Sequence, residues 1–545
     1  MNPRKVESTF RPAADGTAAE AARGMVASAS SHATRAGVEI LEAGGNAFDA
    51  ACAVAFALSV CEPHMSGLGG QTLGLLHRGD RCVALDGSSR VPARALRERI
   101  DSKTQRDGYR AATVPSTPAA LAWINRHYGR LSWPEVIAPA VRIAREGYPI
   151  TPLESELQER ELGPFLESSS RSGARYFLRG GERPYAAGEV LQQPDLADTL
   201  EQLAKEGVES FYSGDIAQRI DADMRENDGF LRADDLALTP WPIERAPLRR
   251  RYRSTTVLTM PPPGSGRTLL LALMMLNHLD SSFLGGRSPE SRHFVAETLR
   301  KALRQRHERP YDPDSYPQVE NKRMLSRTFA RELAASITEQ IDPGLPVDPN
   351  APVLDGWDET THLSAMDSEG NAASITQSIE LAYGAKVAAN RLGFLYNNYL
   401  MACDTKDPSH PYYLRPGGVP WSSAAPAIVV RRGRPWIAMG SPGSERISSA
   451  LAQFLMHVVD DSASIQEAVD RPRVHCSLGG VVSLEAGRFP GEVVEHLAER
   501  GYRIESMPEY SSALGAIQAV LRCQTRRGFQ GVADRRRGGA AAGPD

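Results

Sequence analysis

The sequence predicts an α+β fold, and three observations predict it. Apolar residues recur at helical spacing in His32–Ala43, and an alanine-rich helix follows through about Val60. An alternating stretch, His362–Asp367, is followed by the turn Ser368-Glu369-Gly370-Asn371 and a second alternating stretch, Ala372–Ile379, which is the signature of a hairpin. The last third of the chain then reads as strands interspersed with apolar helices.

Taken in order, the first helix stops at Gly44-Gly45, a glycine-terminated end. Asn46 is placed to cap the next helix, with Asp49 three positions on to favour its first turn. That helix is alanine-rich on nearly all sides, so it is expected to be buried. The glycine-rich bend after it, "EPHMSGLGG", follows a helix and lacks the Lys-Ser/Thr ending of a phosphate loop, so it is not read as one. Residues from Arg90 to about Phe230 read as mostly helical, with polar loops near Gly163 and Gly180–Gly188. "PPPGS" (Pro261–Ser265) is a turn before an apolar helix, Thr268–His278, and Ser291–Arg306 is a further helix. Ile341–Glu359, irregular and rich in Pro and Asp, is the best linker candidate. Ala425–Arg431 and Trp436–Gly440 read as strands, and Ser444 or Glu445 opens a helix to about Val459.

Bulk composition excludes several function classes. With 545 residues, 41% apolar and 24% charged, the chain is ordinarily globular and long enough for a large core. The formal net charge of −3 gives no global attraction to nucleic acid or acidic membrane. The basic runs Arg249–Arg253 and Arg535–Arg537 lack a basic surround and read as solvated faces or local ion pairs. Six cysteines form no CxxC pair and are expected as reduced, buried thiols. The longest strongly apolar stretches, Ala50–Cys61 and Leu269–Leu276, are too short to span a bilayer, and no apolar secretion signal stands at the N-terminus. A soluble, cytoplasmic protein with no membrane or nucleic-acid partner is the expectation. The twelve histidines show no HExxH or close ligand cluster, so neither a catalytic metal nor another cofactor is expected.

The Glu359–Thr360 junction at the head of the hairpin carries the sharpest chemical reading. A threonine hydroxyl is a weak nucleophile and needs a base. Cutting the chain just before Thr360 would supply one, because the freed α-amine titrates near 7.7–8.0, close to working pH. Strand-initial threonine is also common for steric reasons alone, so the hairpin by itself does not decide the matter. "GSPGSER" offers backbone N–H groups at Gly443 and Ser444, between a strand end and a helix start, suited to a developing oxyanion or to nothing more than a turn.

With these residues in view, the chain resembles the γ-glutamyltransferases (γ-glutamyltranspeptidases) of the N-terminal nucleophile hydrolase superfamily. The resemblance covers nearly the whole chain: "GGNAFDAACAVAFALSVCEPHMSGLGG", "GVESFYSGDIAQRI", "PPPGSG", "TTHLSAMDSEGNAASITQSI", "RPRVH" and "GVADRRRGGAAAG" occur in family order. It implies a four-layer αββα core and self-cleavage into a large subunit, residues 1–359, and a small subunit, residues 360–545. It implies that Thr360 attacks a γ-glutamyl or related amide of glutathione type, and that water or an amine takes the acyl group. Ser378 falls where the family has a second threonine bonded to the nucleophile. Gly443 and Ser444 fall at the oxyanion pair, usually two glycines. Ser422 and Ser423 match the serines that bind the substrate's α-carboxylate.

Departures from the family pattern fall on the acyl-recognition shell. The family's carboxylate-pairing arginine aligns near Ser88, with Arg90 two residues later as a candidate substitute. Tyr399 and Ala402 stand where a glutamine and the amine-binding aspartate are usual, Glu380 replaces an asparagine or similar residue, and Asp404 is the nearest alternative carboxylate. The short segment Tyr399–Trp421 corresponds to the family's lid, and its Tyr412 and Tyr413 read as ordinary loop packing. Three functions follow: a γ-glutamyl-transferring or glutathione-hydrolysing enzyme, a family member with another acyl specificity, or an unprocessed homologue acting as a binding protein.

Overall fold

The computed structural model describes residues 17–168, 170–238, 241–285, 288–308, 319–338, 358–524 and 527–545. The linker candidate falls, for residues 341–357, outside the described residues.

Two seven-stranded antiparallel sheets face each other. The first runs, in spatial order, Ala540–Ala542, Gly24–Ser28, Asp358–Asp367, Ala372–Leu381, Gln71–Arg78, Arg81–Gly87 and Ile243–Arg245. The second runs Ala19–Ala21, Phe529–Ala533, Gln518–Arg522, Arg434–Gly440, Ala427–Arg431, Thr255–Thr259 and Leu248–Tyr252. Three apolar layers account for the stacking. Leu363, Ala365, Ala373 and Ile375 join the helices Ser31–Glu42 and Ala47–Cys61 on the outer face of the first sheet. Met25, Leu73, Met366, Ile428 and Ala438 fill the space between the sheets. Val257, Val429 and Ile437 meet the helices Gly266–Leu276, Pro289–Glu308 and Arg446–Val459 on the far side. The result is the four-layer αββα arrangement.

Local chemistry explains the elements that frame the centre. Asn46 accepts from the Phe48 and Asp49 amides, and Asp49 reaches back to the Asn46 amide, a complete capping box. The helix it opens is buried along its whole length. The hairpin forms as its alternation predicts, but its first strand begins earlier, at Asp358. Gly163 does not lie in a loop; it sits inside the helix Leu162–Glu167. In the run Arg535–Arg537 the ion-pair reading holds for two of the three residues: Arg536 pairs with Glu485 and Asp534 in the interior and Arg537 with Glu359, while Arg535 is exposed. All six cysteines are unpaired.

Both sheets draw strands from either side of the Glu359–Thr360 bond. Cleavage there would leave two polypeptides interleaved in one core rather than two separable bodies.

Between the sheets, buried His362 bonds Thr376 Oγ1 (2.9 Å) and Ser364 Oγ (3.1 Å), and burial pushes its pKa down to about 3. An unfolded histidine titrates near 6.5, so the neutral ring contributes stability above about pH 6.5 that is lost as pH falls toward 3. Each such histidine steepens the acid limb by about 1.4 kcal/mol per pH unit. Urea unfolding between pH 6 and pH 4 is expected to show a shallower pH slope in His362→Gln than in the parent. Parallel slopes would contradict this assignment.

Candidate active site

Strand alternation decides which way each hairpin residue faces. Even-numbered residues of the first strand, Thr360, His362 and Ser364, turn to the inter-sheet side, where Ser364 donates to the Gln518 carbonyl of the opposite sheet. Odd-numbered Glu359 and Thr361 turn to the helical side. There the Thr361 hydroxyl donates to Glu62 and Arg537 pairs with Glu359. Glu62 is buried, and desolvation raises its pKa. Burial by itself would lower His64, but the carboxylates of Glu154, Glu62 and Glu359 lift it above its ordinary value. The junction thus differs from a solvent-facing linker end. Glu359 is only 1% exposed and Thr360 8%, because the Arg537 guanidinium holds the glutamate inside.

At this point the ladder is irregular. Glu359 pairs with Glu380 but Thr361 pairs with Gln377, so Ser378 and Ile379 together oppose Thr360. The bulge carries Glu380 to φ +84°, an uncommon conformation for a residue with a Cβ. It also aims the Ser378 hydroxyl at the junction: Ser378 Oγ donates to the Glu359 carbonyl oxygen at 2.8 Å and accepts from the Glu380 amide at 2.8 Å. The oxygen held by Ser378 is therefore that of the Glu359–Thr360 peptide bond itself. The glycine-rich bend packs directly behind. A Cβ on Gly70 would lie 2.3 Å from the Ser378 carbonyl oxygen, which explains the glycine without any phosphate.

Thr360 opens onto a cleft lined by Gln71, Ser378, Glu380, Tyr399, Ser422, Ser423 and Ser444. Seven of the residues singled out in the sequence thus converge from four distant segments. Gly443 adjoins the cleft through Ser444. Here the chain turns from the strand Arg434–Gly440 into the helix Arg446–Val459 through φ +119° at Gly443 and +52° at Ser444. Ser422 and Ser423 are held by the proline-rich turn: Ser265 Oγ donates to the Ser423 carbonyl (2.6 Å) and the Ser422 amide to Pro263 O (3.3 Å).

Arg90 is not brought to the cleft; it faces another segment, with Nη1 3.5 Å from the Gly417 carbonyl. Asp404 is not brought there either, its carboxylate accepting from the amides of Lys406 and Asp407 within its own loop. Tyr412 stacks on Trp421 at 5.0 Å between ring centroids, as loop packing predicts.

Two residues of the site escaped sequence reading. Gln71 accepts from the Ser89 amide and hydroxyl through Oε1, while its buried Nε2 has no hydrogen-bond partner among the described residues. A glutamine opening a strand directly after the glycine-rich bend was the available signal. Arg306 donates from Nη2 to the Ser422 carbonyl (2.8 Å) and from Nη1 to Ser423 Oγ (3.3 Å). Its place near a helix C-terminus, where arginine is common, hid it.

With this geometry in hand, comparison with known proteins is informative. The family model described as gamma-glutamyltranspeptidase matches residues 33–544. A glutathione hydrolase proenzyme of Escherichia coli (strain K12) is 30% identical over 539 residues, spanning 94% of this chain and 90% of the relative. An acylase ACY 1 proenzyme of Pseudomonas sp. (strain SE83) is 32% identical over 519 residues, spanning 92% and 90%. Among solved structures, a cephalosporin acylase from Bacillus halodurans superposes with a TM-score of 0.88 at 28% identity, covering 100% of this chain and 99% of that one. A Helicobacter pylori gamma-glutamyltranspeptidase gives 0.53 at 32% identity over 56% of this chain and 89% of its own.

Proposed function

The chain belongs to the gamma-glutamyltranspeptidase family, and on that premise we propose that it is a self-cleaving acyl-transfer enzyme whose nucleophile is Thr360. The observation that carries the proposal is the Ser378 hydroxyl, 2.8 Å from the carbonyl oxygen of the bond to be cut, on the same cleft as Thr360.

In processing, Thr360 Oγ attacks the Glu359 carbonyl carbon. The C–N bond breaks as the Thr360 nitrogen takes up the proton lost by the hydroxyl, leaving an ester. Water then hydrolyses the ester to a Glu359 carboxylate and a free Thr360 amine. In turnover, that amine accepts the hydroxyl proton as Thr360 attacks the substrate amide, and the proton passes to the departing amine. The acyl-threonine that results is released by water or by an acceptor amine. Ser378 and the backbone at Gly443 and Ser444 supply the hydrogen bonds for the oxyanion.

Two acyl classes compete. The relationship to glutathione hydrolases supports a γ-glutamyl amide. Ala402, where the family has its amine-binding aspartate, together with the whole-chain likeness to acylases, supports an acyl group without an α-amine. Comparing kcat/KM for γ-glutamyl and glutaryl anilides decides between them: a glutaryl preference supports the acylase reading, and a γ-glutamyl preference the glutathione-type reading. If no amide is turned over by a processed protein, the enzyme proposal is wrong. A cytoplasmic place of work remains part of the proposal, in keeping with six unpaired thiols, and cell fractionation tests it.

A further inference from the structure

Arg306 is 6% exposed, yet among the described residues no carboxylate stands within ion-pairing distance of it. Glu445, the carboxylate with the largest electrostatic influence on it, has its Oε1 bonded to His307 Nε2 at 2.5 Å. Among the described residues two hydrogen bonds hold the guanidinium, both to the serine pair that lines the Thr360 cleft, and the face of the Trp421 ring lies 4.6 Å from its central carbon. A guanidinium has five N–H donors, and a buried cation lacking a counter-ion is costly. Beside it is a small pocket walled by Pro262, Pro263, Arg267, Tyr412 and Trp421, while the Ser423 hydroxyl that Arg306 reaches lines the Thr360 cleft. Burial pushes Arg306 down to about 10; Glu445, Tyr412 and Glu380 oppose that shift and Arg267 adds to it.

We infer that Arg306 binds the distal carboxylate of the acyl group, so that the substrate is the monoamide of a short dicarboxylic acid. The inference rests on the acyl-transfer reading of the cleft. The carboxylate enters between Arg306 and the serine hydroxyls, which places the far carbonyl of the acyl chain toward Thr360. A planar guanidinium braced on an indole is suited to this, since it meets a carboxylate with paired N–H groups and loses little freedom in doing so. The charge thus comes from the helix Pro289–Glu308, not from the segment around Ser88–Arg90.

Two measurements test it on the full-length processed protein. In turnover, the kcat/KM ratio of glutaryl to butyryl p-nitroanilide, which differ only in the terminal carboxylate, is expected to fall about 30-fold or more in Arg306→Gln and to be partly restored in Arg306→Lys. A γ-glutamyl anilide arm reports whether an α-amine on the same skeleton is accepted. In binding, calorimetry with free glutarate and butyrate is expected to show a glutarate preference that Arg306→Gln removes. An unchanged glutaryl-to-butyryl ratio, or equal glutarate affinity in Arg306→Gln, overturns the inference. Arg306-dependent glutarate binding without any turnover would sustain it while sinking the acyl-transfer reading.

Discussion

Thr360→Ala is expected to remain one polypeptide of 59.2 kDa, where the parent resolves into fragments of 359 and 186 residues, about 39 and 20 kDa by proportion. Turnover should fall with processing, by on the order of 10⁴–10⁶, because one hydroxyl serves both reactions. The substitution removes Oγ and leaves the strand intact. Thr360 faces the inter-sheet side and none of its side-chain atoms anchors the ladder, so the variant should fold. Thr360→Ser keeps the hydroxyl and should still cut, more slowly. N-terminal sequencing of the smaller fragment checks the position: Thr-Thr-His-Leu is expected. Cleavage of Thr360→Ala at that same bond would eliminate the hydroxyl as the agent.

Ser378→Ala should slow self-cleavage by about 10²–10³, the usual cost of losing one oxyanion donor, roughly 2.7–4 kcal/mol. The reason is geometric. As Thr360 Oγ adds to the Glu359 carbonyl carbon, negative charge gathers on the oxygen that Ser378 already holds at 2.8 Å. The donor is positioned by the bulge and by the Glu380 amide, so little reorganisation accompanies the charge. Ser378→Thr retains the hydroxyl and should process at close to the parent rate. Densitometry of freshly purified precursor against time gives both numbers, and a Ser378→Ala precursor that matures as fast as the parent would remove Ser378 from the mechanism.

Much of the scaffold was legible in the sequence because its determinants are local. Asn46 and Asp49 announce a cap through their own backbone amides. The alternation of Leu363, Ala365, Ala373 and Ile375 announces a hairpin with one apolar face, and the same period puts Thr360 and Ser378 on the other. The long resemblance then ordered Thr360, Ser378, Ser422, Ser423, Gly443 and Ser444 into one candidate site, which the fold brings together around the cleft.

What the sequence left undecided depends on which distant segments meet. Arg90 looked the nearer substitute for a missing arginine, two positions away along the chain, but the fold sends it toward Gly417. Arg306, more than two hundred residues from Arg90, arrives instead because the helix Pro289–Glu308 packs on the helix Gly266–Leu276, which itself lies on the second sheet, and ends beside Ser422 and Ser423. Glu359 read as the end of a linker and is instead sealed by Arg537, 178 residues on. Periodicity fixes the face on which a side chain stands and capping fixes where an element begins. Neither contains the register between elements far apart in the chain, so the strand that carries Thr360 was determined by sequence alone and the charges around it only by tertiary packing.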